Sequence, residues 1–112
     1  MRVLYRLSLL AVALPLAAQA NDFPTQDRVE YVLECMQQHP GKQEYLYKCA
    51  CTIDQIAQAL RYDDYVEMAT ALRHRAMSGQ RGAAFRDPPT VKAMAAAYQV
   101  VQEQARKACH VE

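Results

Sequence analysis

An all-α domain, a small four-helix bundle stapled by two disulfides, is the fold class this sequence predicts, and three observations carry it. Apolar residues recur at the i, i+3, i+4, i+7 spacing of amphipathic helices through most of the chain after residue 25. No window alternates apolar and polar residues as a half-buried strand does. Four cysteines accompany these helices, and two of them, Cys49 and Cys51, stand one residue apart inside a helical stretch.

The first twenty residues read as an export signal. Arg2 and Arg6 form a basic start, Leu7 to Leu16 is an apolar run broken by Ser8 and Pro15, and Ala18-Gln19-Ala20 is a small-residue cleavage site. The run is too short to span a bilayer. Cleavage after Ala20 would leave residues 21–112 as one exported periplasmic domain, without Arg2 and Arg6. Lys+Arg then falls from 13 to 11 against 12 Asp+Glu, a net charge of −1. Near-neutral charge argues against a nucleic-acid or membrane-surface partner.

The first helix is predicted over Thr25 to Gln38, with Val29, Val32, Leu33 and Met36 as its buried stripe, and His39-Pro40-Gly41 stops it. The second runs from Tyr45 to Leu60 and buries Leu46, Cys49, Ile53, Ile56 and Leu60. So short a link makes the pair an antiparallel hairpin. The third follows Arg61-Tyr62, with Asp63 or Asp64 as cap and Glu67 completing a capping box, and turns Tyr65, Val66, Ala69 and Leu72 inward. Residues 79–87 read as a loop, and Asp87-Pro88 as cap and first residue of the last helix. Val91, Met94, Ala95, Tyr98, Val101, Ala105 and Cys109 share one face of that helix.

An exported small domain with an even number of cysteines predicts disulfides. Zinc spacings and C-x-x-C-H are absent from the chain. Cys49 and Cys51 point to nearly opposite sides of one helix, since two residues turn it by about 200°. That helix is thereby tied to two neighbours, through Cys35 and Cys109. Matching heights in the hairpin favour Cys35–Cys49 with Cys51–Cys109, while helical phase, which puts Cys49 and Cys109 on apolar stripes, argues the other way.

No catalytic signature stands out: Ser78, with His74 four residues before it, lacks a third partner. Two acidic groups are candidate sites for a hard cation such as a lanthanide or Ca2+, namely Asp27, Glu30 and Glu34 on one face of the first helix, and Asp63, Asp64 and Glu67. A solvated face and ordinary capping explain the same residues without a ligand. Arg73, Arg75, Arg81 and Arg86, with Phe85 as an apolar anchor, gather at the end of the third helix and the following loop. They read as a docking surface for an acidic partner or as a solvated loop whose arginines answer the helix dipole.

The series Tyr31-Val32-x-x-Cys35-Met36, His39-Pro40-Gly41, Lys48-Cys49-x-Cys51-x-Ile53-Asp54-x-Ile56-Ala57, Tyr62-Asp63-Asp64-Tyr65, Gly79-x-Arg81-Gly82 and Arg86-Asp87 resembles a group of small exported four-cysteine helical proteins. These occur alongside PQQ-dependent alcohol dehydrogenases in methylotrophs and pseudomonads, some of them lanthanide-using, and landiscernin-like lanthanide binders stand near the group. The resemblance implies a non-enzymatic accessory role in periplasmic alcohol oxidation, by lanthanide handling or by docking to the dehydrogenase or its cytochrome. It supplies no ligand residues. Two other readings compete: an acid-stress periplasmic holdase that loosens as its carboxylates lose charge, and a purely structural protein without metal.

Overall fold

The computed structural model describes residues 22–112. The expected export signal over residues 1–20, and the expected mature start at Asn21, lie outside the described residues. Five helices follow one another: α1 (Thr25–Gln37), α2 (Tyr45–Ala59), α3 (Tyr62–Arg75), α4 (Gly79–Arg86) and α5 (Pro89–Ala108). The domain is all-α, with disulfides Cys35–Cys49 and Cys51–Cys109. α1 lies on α2, α2 on α5, and α3 along α5, while short α4 bridges α3 and α5.

The pairing follows the hairpin heights. The α1–α2 turn passes through Gly41 at φ +77°, a left-handed conformation that suits glycine. It places the α-carbons of Cys35 and Cys49 5.9 Å apart. His39 stacks on Tyr45 with ring centroids 3.9 Å apart, and the Lys48 ammonium lies 4.7 Å from the same ring. Tyr45 is thereby buried in the turn. On the other side of α2, Cys51 holds Cys109, just past the end of α5. That end is closed by the Val111 N–H donating to the Arg106 carbonyl at 3.0 Å, with His110 between them at φ +57°. This is the left-handed helix terminus that glycine usually fills.

The core is Phe23, Tyr31, Ile53, Ile56, Tyr65, Ala69, Tyr98 and Ala105. Tyrosine takes the place of larger aliphatics, so ring contacts carry much of the packing: Phe23 meets Tyr65 at 4.9 Å and Tyr65 meets Tyr98 at 6.0 Å. Thr52, fully buried on α2, donates its hydroxyl to the Lys48 carbonyl at 2.8 Å, which satisfies it inside the helix.

Four expectations are corrected. The supposed loop over residues 79–87 is a helix of eight residues, so the bundle has a fifth element. It forms because Gly82 lets its backbone approach Met77, where an added Cβ would sit 3.0 Å from the Met77 side chain. The Arg86 guanidinium also donates to the carbonyls of Met77 at 3.0 Å and Gly79 at 3.4 Å. Second, α5 starts at Pro89 with Pro88 before it, while Asp87 ends α4 and accepts from Arg86 at 2.8 Å. Third, Asp63 and Asp64 lie inside the first turn of α3 and do not cap it. The Tyr62 N–H is taken by the Asp22 carboxylate at 3.3 Å instead. Fourth, Val29 and Leu33 are not core: they are 50% and 55% exposed, and α1 buries Tyr31 in their place. Leu46 on α2 and Val66 on α3 are likewise exposed.

Candidate functional site: the two faces of the first helix

Turning Tyr31 into the core leaves α1 with two working sides. Toward α2 it presents Val29, Val32, Leu33 and Met36, which with Leu46, Ala50 and Ile53 form an apolar groove of about 300 Å³. The Arg28–Asp54 ion pair closes one end of it. Asp54, which helical phase puts at the edge of the hairpin, thus serves as a cross-helix tie. The Cys35–Cys49 bond holds the two walls of this groove together. Tyr47, highly exposed, stands on the same helix as Leu46.

Toward α3 the same helix presents Asp27, Glu30 and Glu34. The phenol of Tyr62 donates to the Asp27 carboxylate at 2.6 Å. The Gln26 amide donates to Glu30 at 3.0 Å, and Arg73 lies 3.6 Å from Glu34. A cleft of about 140 Å³ opens here, with Asp27, Glu30, Tyr31, Tyr62, Tyr65 and Arg73 among its walls. Beside Tyr62 the charges are carboxylates, while Arg73 is the leading charge beside Tyr65. Tyr62 is held above the usual phenol range, first by its bond to Asp27, then by desolvation and by Asp27, Asp63 and Glu30 as charges. Burial pushes Tyr65 up to about 12.

The first acidic triplet therefore stays on one side of α1, and each member has a partner. Asp63, Asp64 and Glu67 are exposed along the start of α3. Among the described residues no group of three or more His, Cys, Asp or Glu is arranged to hold a metal ion.

The arginine cluster is mostly engaged within the fold. Arg73 faces Glu34, Arg75 donates to the Arg86 carbonyl at 3.1 Å, and Arg86 ties the α3–α4 link and Asp87. The Arg86 bond holds the Asp87 carboxyl below the usual range. Arg81 is exposed, and Phe85 is 51% exposed beside His74, whose ring centroid is 5.4 Å away. The groove and the cleft both escape sequence reasoning. The signal available was the second apolar stripe through Tyr31 and Cys35, which competes with Val29 and Leu33 for the core.

Compared with known proteins, the chain matches no family model, no curated protein and no solved structure.

Proposed function

We propose that this chain is an exported, non-enzymatic accessory protein of PQQ-dependent alcohol oxidation, working by docking to the dehydrogenase or its cytochrome. The single observation behind the docking mode is the apolar groove of α1 and α2, with Val29 and Leu33 half exposed on a hairpin locked by Cys35–Cys49. A small domain gains nothing in stability by leaving such residues in water. A contiguous apolar face rimmed by polar groups is the ordinary mark of a recognition surface. The groove suits an amphipathic helix of the partner, whose apolar side chains at i, i+3 and i+7 would follow its length. The disulfide supports this reading because a surface fixed in advance loses less conformational freedom on binding. The choice of partner comes from the sequence resemblance alone. Docking is preferred to lanthanide handling because neither acidic triplet is gathered into a ligand cluster among the described residues.

The test is binding of the purified dehydrogenase, and separately of its cytochrome, to wild-type protein and to Leu33→Ser. Only about half of the Leu33 side chain is buried, so the substitution should cost roughly 1 kcal/mol of stability. Binding should fall at least about tenfold, while Arg81→Ala on distant α4 changes it little. Equal binding by Leu33→Ser would remove the groove from the account. Aggregation suppression confined to acid, with no binding at neutral pH, would favour the holdase reading instead.

A further inference from the structure

We propose that the cleft between α1 and α3 binds a small organic ammonium ion. This site is separate from the docking groove, and the proposal does not rest on the docking reading. Its walls combine two carboxylates, Asp27 and Glu30, with the rings of Tyr31, Tyr62 and Tyr65. Each carboxylate has one hydrogen bond within the described residues, from Tyr62 and from Gln26. A carboxylate has about four acceptor sites, so both retain capacity toward a cation.

The chemistry of the walls selects the kind of cation. Ca2+ takes about six to eight oxygen ligands and a lanthanide no fewer, and this cleft offers two carboxylates and no third that closes on them. An alkylated ammonium carries its charge inside an apolar shell. That shell matches aromatic rings, whose faces attract cations, with carboxylates set beside them. Arg73 at the rim is balanced by Glu34 at 3.6 Å, so Asp27 and Glu30 leave the cleft with a surplus of negative charge. Size agrees as well: an apolar cavity of about 150 Å³ accepts a molecule the size of benzene, so a cleft of about 140 Å³ admits tetramethylammonium. Tyr62 has a defined part in this arrangement. Its hydroxyl fixes the Asp27 carboxylate while its ring forms a wall.

The experiment is a titration of the purified, disulfide-bonded protein with tetramethylammonium, followed by backbone NMR shifts. Its controls are tert-butanol, a neutral molecule of similar bulk, and La3+. Saturable binding in the range of about 1 mM is expected, with the shifts centred on residues 27, 30, 62 and 65. Asp27→Asn with Glu30→Gln should weaken it at least about tenfold. Should that double variant lose its fold, Glu30→Gln alone gives the same comparison, because Glu30 is exposed and tied only to Gln26. An expected loss of about threefold there keeps the proposal open to refutation. Four results overturn it: no saturation by about 100 mM, an equal response to tert-butanol, shifts centred elsewhere, or La3+ saturating these residues while tetramethylammonium moves none.

Discussion

Removing Cys51–Cys109 should destabilise this domain more than removing Cys35–Cys49. The two bonds close 58 and 14 residues of chain. Restriction of the unfolded chain grows with the logarithm of loop length, which gives about 4 kcal/mol for the longer loop and about 3 kcal/mol for the shorter. Each pair has one deeply buried and one half-buried sulfur, so the cavities left by alanine largely cancel in the comparison. A domain this size has ~5–15 kcal/mol in total, so either loss is large. The assay is urea unfolding of Cys51→Ala/Cys109→Ala and Cys35→Ala/Cys49→Ala beside wild type. The consequences for function should run the opposite way. Losing Cys35–Cys49 frees the walls of the groove and should weaken partner binding more for each kcal/mol of stability lost. A reversed order of stability, or a loss under about 1 kcal/mol for the longer loop, would refute the reasoning that the α2–α5 tie secures the bundle.

Gly82→Ala should cost ~1–3 kcal/mol, because the new methyl meets Met77 at 3.0 Å and its backbone carbonyl at 3.3 Å; urea midpoints measure this, and a gain in stability would show that α4 has room. His110→Gly should raise stability by up to about 1 kcal/mol, since φ +57° is free of strain for glycine; thermal melts decide, and a loss would mean that the imidazole is needed there. At alkaline pH the buried tyrosines govern stability. Burial raises Tyr31, Tyr65 and Tyr98, with Tyr65 reaching about 12 from an ordinary 10.0. The folded state then holds protons that the unfolded chain releases, so this contribution is intact below about pH 10 and is lost as pH rises through about 12. Urea midpoints with tyrosinate absorbance over that window test it, and midpoints that stay level would contradict the burial.

As helices, α1, α2, α3 and α5 were legible because they rest on local geometry, 1.5 Å of rise and 100° of turn per residue. Height and phase disagreed over the disulfides, and the fold follows height. As to its buried face, α1 defeated the same logic. It carries two apolar stripes, one through Val29 and Leu33 and one through Tyr31 and Cys35, and periodicity cannot say which faces inward. Tyr31 prevails because its ring fills the space beside Tyr65 and Tyr98 while its hydroxyl accepts from the Gln102 amide at 3.4 Å. α4 was hidden by its glycines, which read as loop. What makes it a helix lies in side-chain contacts that periodicity does not show, Gly82 closing on Met77 and the Arg86 side chain reaching back to Met77 and Gly79. The carboxylates of α1 were visible on one face, yet the groups that turn them into a cleft, Tyr62, Tyr65 and Arg73, arrive from α3 only after folding.

The measurement that bears most directly on the docking account is site-specific photo-cross-linking in living cells, with the cross-linking residue placed at position 33 and, as a comparison, at position 81. A cross-link from position 33 to the PQQ-dependent dehydrogenase or its cytochrome is expected at neutral pH, lost when Val29 is replaced by Ser, with little from position 81. A cross-link to that partner from position 81 with none from position 33 would contradict it.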